Sequence, residues 1–301
     1  MRLSSQLEIA ILSSFSTENR VTLYLGDCLE FLQTIPDESV QLVVTSPPYN
    51  IGKEYEDVLN IESYIAQQRQ VIDECVRVLR PRGSICWQVG NYVNNGEIIP
   101  LDILLYGGFR ENGLKLRNRI IWHFGHGLHC KNRFSGRYET INWFTKSDDY
   151  VFNLDPVRIP QKYPGKRHFK GPKRGEYSGN PKGKNPSDVW NIPNVKANHV
   201  EKTSHPCQFP VALIQRLVLS MTDEGDLVFD PFMGVGTTAV AAVVNGRRAA
   251  GAEILERYYD LAVERVRMAI AGELKIRPDK PVYKPSENST LTINPWQDDD
   301  E

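Results

Sequence analysis

Residues 227–244 read LVFDPFMGVGTTAVAAVV, so an apolar run meets an apolar helical pattern across one acid and two glycines. Leu227–Asp230 has the length and composition of a buried strand, and the small residues after Thr237 predict a helix that ends at Asn245-Gly246. A strand that passes through a Gly-x-Gly turn into a helix is typical of α/β sheets, which hold their ligands at the carboxyl ends of the strands. The turn alone does not identify the ligand, because NAD enzymes use it as well.

Similar β-branched and apolar runs alternate with helical patterns along the rest of the chain, which is typical of an α/β protein with crossover-connected parallel strands. We predict one sheet of seven strands: Val21–Leu25, Gln41–Thr45, Ser84–Val89, Arg119–His123, Thr140–Thr145, Leu227–Asp230 and Ala249–Glu253. Apolar side chains at three- and four-residue spacing predict further helices over Ile61–Leu79, Val211–Met221 and Tyr258–Ile270.

The composition is that of an ordinary globular protein: of 301 residues, 41% are apolar and 24% are charged, with 36 basic against 37 acidic side chains. A disordered chain is therefore excluded, and the overall charge indicates no partner. No run approaches the roughly 18–20 apolar residues of a membrane span, and Met1–Arg20 resembles no signal peptide, so we expect a cytoplasmic protein. The five cysteines have no spacing typical of a zinc site, and we expect no bound metal.

The segment from Arg158 to Lys202 lacks apolar periodicity and is rich in Pro, Gly, Asn and Lys, so we predict an insertion without sheet strands. It holds 11 basic and 3 acidic residues, interleaved with aromatic ones. This pattern is typical of a segment that contacts nucleic acid, although a solvated loop explains it too. The candidate DNA-binding residues are Lys162, Lys166, Arg167, Lys170, Lys173, Arg174, Lys182 and Lys184.

A second motif follows the strand Gln41–Thr45, which ends directly in Ser46-Pro47-Pro48-Tyr49. The two prolines fix φ and remove two amide donors, so the neighbouring carbonyls stay out of helix and sheet. A serine hydroxyl and a fixed carbonyl together accept both hydrogens of a planar NH2 group, and Tyr49 offers a ring on which a base stacks. Held in this way, the amino nitrogen has its lone pair free for attack. A Pro-Pro turn that only ends a strand is the alternative.

Three acids end predicted strands and are candidate cofactor ligands. Asp230, at the start of the glycine turn, disfavours a phosphate and suits a cationic ligand. Glu253 ends the next strand, where an acid accepts hydrogen bonds from ribose hydroxyls. Asp27 is either a ligand of an adenine amino group or a helix N-cap. These positions suit a sulfonium nucleoside better than a pyrophosphate.

In this order, TSPPYN and DPFMGVGTT resemble the motifs of the β class of amino-group DNA methyltransferases of restriction–modification systems. The resemblance covers roughly Val21–Ile270. It implies a Rossmann-like class I methyltransferase sheet of seven strands, circularly permuted, with a basic target-recognition insertion and S-adenosyl-L-methionine as cofactor. It divides the chain into a catalytic part with strands three to seven (1–154), the insertion (155–202), a cofactor-binding part with strands one and two (203–275) and a C-terminal tail (276–301).

By this resemblance Ser46, Pro47, Pro48 and Tyr49 are catalytic, and Asp230, Phe232, Gly234 and Gly236 bind the cofactor. Their positions at strand ends and in the glycine turn add four more candidate cofactor residues, which are Asp27, Pro231, Thr237 and Glu253.

The implied reaction transfers the methyl group of S-adenosyl-L-methionine to the exocyclic N4 of cytosine in duplex DNA, with the base swung out of the helix. Ser46 favours cytosine, because Ser-Pro-Pro-Tyr is commoner among the cytosine-N4 enzymes of the family. Adenine N6 on the same scaffold stays open, as do an RNA or protein methyltransferase, an NAD-dependent dehydrogenase and a non-enzymatic nucleic-acid-binding module. We also leave open a separately acting restriction endonuclease, and whether the protein is a monomer or a homodimer.

Pro206-Cys207-Gln208 resembles the nucleophile motif of the cytosine-C5 methyltransferases, which attack the ring through a thiolate. Those enzymes carry the cofactor motif before the cysteine and a Glu-Asn-Val partner, whereas here the cofactor motif follows and Glu-Asn-Val is absent. We therefore expect Cys207 to be a packed apolar side chain and not a nucleophile.

Overall fold

The computed structural model describes residues 9–125, 127 and 129–278. The predicted C-terminal tail therefore lies outside the described residues from position 279 onward. Within the described part, the strands are β1 (Ile11–Leu12), β2 (Val21–Leu25), β3 (Val40–Thr45), β4 (Leu79–Val89), β5 (Asn91–Asn94), β6 (Glu97–Pro100), β7 (Lys115–His123), β8 (Tyr138–Thr145), β9 (Val189–Asn191), β10 (Leu227–Asp230) and β11 (Arg248–Glu253). The α-helices are α1 (Cys28–Gln33), α2 (Ile61–Val78), α3 (Leu101–Glu111), α4 (Val211–Met221), α5 (Thr237–Val244) and α6 (Glu256–Ile270).

One nine-stranded sheet forms the centre of the molecule, in the order β1-β2-β11-β10-β3-β4-β8-β7-β9. Its strands are parallel to their neighbours except β8, which runs antiparallel to both β4 and β7. The predicted α/β class is confirmed, and all seven predicted strands lie in this sheet. The sheet is larger than predicted because β1 and β9 extend its two edges.

The edge strand β9 lies inside the segment that we predicted to contain no sheet strand, and that part of the prediction is wrong. Trp190 pairs with Trp122 of β7, and its indole Nε1 donates to the Ser187 carbonyl at 2.7 Å. The Trp190 side chain is buried and lies under the Arg216 guanidinium. A strand of three residues is too short to show alternation in the sequence, so burial of one tryptophan fixes it without a recognisable pattern.

Helices cover both faces of the sheet and bury one apolar layer on each. α4, α5 and α6 pack on one face, and α1, α2 and α3 pack on the other. Alternate residues of β4 point into the two layers, since Cys86 belongs to the first layer and Ile85 and Trp87 to the second. The early strand β3 and the late strand β10 lie side by side at the centre, with Val228 opposite Leu42 and Phe229 opposite Val43. Both sequence motifs therefore begin at the same edge of the sheet.

Candidate active site

An open cleft lies at the carboxyl ends of β3, β4 and β10, with a volume of about 1050 Å³ when the space open to solvent is included. This size suits a small-molecule ligand together with part of a second substrate. Both motifs and the segment before α4 contribute to its walls. The lining residues used below are Ser46, Pro47, Pro48, Tyr49, Gln88, Glu139, His205, Cys207, Asp230, Phe232, Gly234 and Thr237.

Asp230 joins the two motifs through hydrogen bonds. Its carboxylate accepts from the Thr45 hydroxyl at 2.6 Å and from the Thr238 hydroxyl at 2.7 Å, and the Phe232 amide donates to it at 3.1 Å. Only 3% of the residue is exposed, and burial raises the pKa of Asp230 to about 6, against the lowering effect of its three donors. Its contacts are thus with the protein, and they hold the end of β3 against the start of the glycine turn.

The glycine turn depends on the absence of side chains at two positions. Gly234 and Gly236 have φ of 51° and 72°, in the left-handed region that favours glycine. A Cβ on Gly236 would lie 2.9 Å from the Cβ of Ala262 in α6, and one on Gly234 would lie 3.3 Å from Nε2 of His205. The turn therefore packs closely against α6 below and against the imidazole of His205 above.

Arg265 supports the same turn from inside the protein. Its guanidinium Nη1 donates to the Val235 carbonyl and, at 3.1 Å, to the Thr237 hydroxyl at the start of α5. The side chain is buried, and burial lowers the pKa of Arg265 to about 10. The sequence did not predict this role, because an arginine within an amphipathic helix is usually exposed.

The other two candidate acids lie beside the turn and do not line the cleft. Glu253 is largely buried; its carboxylate accepts from the Leu255 amide at 2.8 Å, and burial raises its pKa. Asp27 is the N-cap of α1, where its exposed carboxylate accepts from the amides of Leu29 and Glu30 at 2.8 and 3.4 Å. The Gly26 amide donates to the Glu253 carbonyl, so the two acids belong to adjacent loops.

Four polar groups meet at the Ser-Pro-Pro-Tyr motif. The Ser46 and Tyr49 hydroxyl oxygens are 2.9 Å apart, and Tyr49 donates to Oε1 of Gln88 at 2.8 Å. Nε2 of Gln88 donates to Oε2 of Glu139, and this oxygen is 3.4 Å from the Tyr49 hydroxyl. The carbonyl of Pro48 accepts from the buried Tyr64 hydroxyl at 2.9 Å, which fixes the motif on α2. The sequence analysis did not identify Gln88 or Glu139 as site residues.

His205 and Cys207 line the opposite wall. Nδ1 of His205 accepts from the Cys207 amide at 3.2 Å, and the ring stacks 5.6 Å from that of Tyr55. Burial lowers the pKa of His205 to about 4, so the imidazole is neutral at pH 7. The prediction that Cys207 is packed is wrong, because the residue is exposed at the cleft. Desolvation nevertheless raises the pKa of its thiol, which opposes the thiolate that a nucleophile requires.

The predicted DNA-binding residues lie outside the cleft, on an excursion that folds back on itself through isolated antiparallel bridges between Ile159 and Lys184 and between Arg167 and Tyr177. The Arg167 guanidinium stacks 3.9 Å from the centre of the Tyr177 ring, and the Lys182 ammonium pairs with Asp155. All eight side chains are at least partly exposed, and they are Lys162, Lys166, Arg167, Lys170, Lys173, Arg174, Lys182 and Lys184.

This largely parallel sheet, with a glycine turn after β10 and a Ser-Pro-Pro-Tyr motif after β3, is the architecture of class I methyltransferases. The chain belongs to the N6_N4_Mtase family of DNA methylases, whose sequence model matches residues 40–264. It is 52% identical to the type II methyltransferase M.BglII of Bacillus subtilis over 84% of this chain and 70% of the relative. It is 32% identical to the DNA adenine methyltransferase YhdJ of Escherichia coli K12 over 82% of this chain and 83% of the relative.

Two solved structures share the fold. The PvuII DNA methyltransferase (cytosine-N4-specific) superposes with a TM-score of 0.64 at 21% identity, over 84% of this chain and 92% of the other. The DNA modification methylase TTHA0409 of Thermus thermophilus, solved in complex with S-adenosyl-L-methionine, gives a TM-score of 0.59 at 30% identity, over 83% and 96%. The protein is therefore an S-adenosyl-L-methionine-dependent DNA methyltransferase, and the dehydrogenase alternative is set aside.

The residues at the cleft fit this cofactor. The glycine turn leaves the backbone accessible at the N-terminus of α5, and the Phe232 ring forms a half-buried apolar wall beside it. Asp230 and Glu253 add negative charge near the turn, which suits a sulfonium cation. Within the described residues, no helix is long and apolar enough to cross a membrane, and no cluster of three metal-binding side chains occurs.

Proposed function

We propose that the protein is a site-specific methyltransferase that modifies the exocyclic N4 of cytosine in duplex DNA. The observation that carries this proposal is the position of Ser46 and Tyr49, which share one cleft with Phe232 and Gly234 of the glycine turn. The hydrogen bonds of Asp230 hold the two motifs together. An amino group on Ser46 therefore lies next to a ligand on the turn, as direct transfer between them requires.

In the proposed mechanism, the Ser46 hydroxyl and the Pro47 carbonyl hold the two hydrogens of the amino group, and the Tyr49 ring stacks on the base. Bound S-adenosyl-L-methionine supplies an electrophilic methyl group. The residues of the chain provide alignment and charge localisation, which account for most of the rate in this reaction class. The target base leaves the DNA stack to reach the cleft, because the exocyclic nitrogen is inaccessible within the duplex.

The choice of cytosine N4 rests on Ser46 in the first position of the motif. Adenine N6 is the second candidate, because the family includes the adenine methyltransferase YhdJ among the relatives of this chain. Both targets present the same planar NH2 to the same acceptors, so the reaction steps are equal for the two bases.

We further propose that the basic insertion, 155–202, contacts the DNA and supplies target recognition, while 1–154 and 203–275 form the catalytic and cofactor-binding parts of one permuted domain. The eight cations at its surface support this proposal, because cationic side chains neutralise backbone phosphates. In this view the protein acts in the cytoplasm as a monomer or homodimer, in a restriction–modification system whose endonuclease acts separately.

The test is product analysis after incubation with duplex DNA and methyl-labelled S-adenosyl-L-methionine. The DNA is digested to nucleosides, and the labelled nucleoside is identified by mass spectrometry. N4-methylcytosine is expected, and N6-methyladenine would replace the base while keeping the mechanism. Label in RNA or protein, with none in DNA of diverse sequence, would overturn the proposal. DNA incubated with the Ser46→Ala variant controls for a contaminating enzyme.

A further inference from the structure

The hydrogen bonds behind Ser46 form one continuous chain that ends on a carboxyl group. Ser46 and Tyr49 follow β3, Gln88 lies in β4, and Glu139 lies near the start of β8. The links are Ser46 to Tyr49 at 2.9 Å, Tyr49 to Gln88 at 2.8 Å and Gln88 to Glu139. We call these four residues the serine relay.

The carboxylate at the end fixes the direction of every donor in the serine relay. An ionised carboxylate only accepts, so the amide of Gln88 turns its NH2 to Glu139 and its oxygen to Tyr49. Tyr49 has one hydroxyl hydrogen, which it donates to Gln88. The contact between the two hydroxyls therefore has Ser46 as donor. With its hydrogen used, the Ser46 oxygen presents only lone pairs to the cleft.

We propose that Glu139 is a positioning residue that, as a carboxylate, turns Ser46 into an obligate acceptor and so selects an exocyclic NH2. The inference deepens the proposed function and rests on it, because the amino group is the substrate group. It explains how a hydroxyl, which both donates and accepts, serves as an acceptor only. Serine alone does not achieve this.

Protonation of Glu139 reverses the serine relay. A neutral carboxyl donates to the oxygen of a flipped Gln88 amide, the amide then donates to Tyr49, and Tyr49 donates to Ser46. The Ser46 hydrogen then points into the cleft, against the hydrogens of the amino group.

The groups around Glu139 leave it as the group that titrates near neutral pH. Burial raises its pKa to about 7. Of the groups facing it, Tyr49 beyond β3 and the Cys207 thiol on the opposite wall both have raised pKa values, so both stay neutral there. Lys53 and Glu56 act on Cys207 from the loop before α2 with opposite sign.

The test compares single-turnover methylation rates between pH 5.5 and 9 for the wild type, Glu139→Gln and the exposed control Glu264→Gln. We expect the wild-type and control rates to fall about tenfold per pH unit below about 7, the limit for one required ionisation. Glu139→Gln keeps the shape of the side chain but both donates and accepts, so its rate is at least fivefold lower at pH 8.5 and independent of pH in this window. A Glu139→Gln profile that follows the wild type would overturn the proposal.

Tyr49→Phe provides a second variant that keeps the stacking ring and cuts the serine relay between Ser46 and Gln88. We expect the same loss of pH dependence there, and a wild-type profile in Tyr49→Phe would also overturn the proposal. Infrared difference spectra of wild type against Glu139→Gln, recorded without DNA, should show one carboxylate band that titrates near pH 7. Failure of the proposed function is distinguishable, because the wild type would then transfer no methyl group to DNA at any pH.

Discussion

Replacing Asp230 by Asn tests whether the carboxylate that joins the two motifs is buried at a cost to stability. Burial raises the pKa of Asp230 from 3.8 to about 6, so the folded state binds the proton more tightly than the unfolded state. The sign follows: this group stabilises the fold most below pH 4, and that contribution is lost as the pH rises to about 6 and stays lost above it. At about 1.4 kcal/mol per pKa unit, the full loss is about 3 kcal/mol.

The measurement is urea unfolding of the wild type and Asp230→Asn at several pH values between 4.5 and 8. An asparagine carries no charge, so the free energy of unfolding of the variant, minus that of the wild type, should increase with pH by about 2 kcal/mol across this range. Other groups, including Glu139, cancel in the difference. The control Asp260→Asn, on the outer side of α6, should give a difference that does not vary with pH. A constant difference for Asp230→Asn as well would refute the reasoning.

Three further outcomes are expected. Gly236→Ala should lower the free energy of unfolding by about 2–4 kcal/mol in urea, because a left-handed alanine costs about 1–2 kcal/mol and its Cβ would lie 2.9 Å from that of Ala262; an unchanged midpoint would contradict the packing of the turn. Replacing Lys170, Lys173 and Arg174 together by Ala should make the plot of log affinity for DNA against log salt shallower by up to about 3, which filter binding measures; an unchanged slope would place these cations away from the phosphates. Ser46→Ala should slow single-turnover methylation about tenfold or more while calorimetry shows unchanged binding of S-adenosyl-L-methionine, since one acceptor is worth about 1–2 kcal/mol; an unchanged rate would remove Ser46 from the mechanism.

The sequence predicted the elements that carry long apolar patterns. All seven predicted strands lie in the sheet, and α4 has the predicted bounds, Val211–Met221. Two helices escaped because their patterns are weak: α1 has only six residues, and α3 contains Gly107 and Gly108, which lower helix propensity. Their positions depend on packing against α2 and the sheet, which is tertiary information.

The expectation for Cys207 failed for a related reason. The neighbours of Cys207 in the chain, Pro206 and Phe209, suggested a packed environment. In the structure the Cys207 amide donates to the His205 ring, and this local turn directs the thiol to the cleft. Residue type and neighbours indicate average burial, whereas the direction of one side chain in a turn depends on backbone geometry.

Glu139 shows where reasoning from strand ends stops. In a parallel sheet, residues just after a strand reach the ligand edge, and this rule placed Ser46 and Asp230 correctly at one cleft. β8 is antiparallel to both neighbours, so its beginning and not its end arrives at that edge. Its second residue, Glu139, therefore meets the groups that follow β3 and line β4. An acid at the start of an apolar strand is thus a site candidate wherever the strand reverses direction, and strand direction is known only once the sheet is assembled.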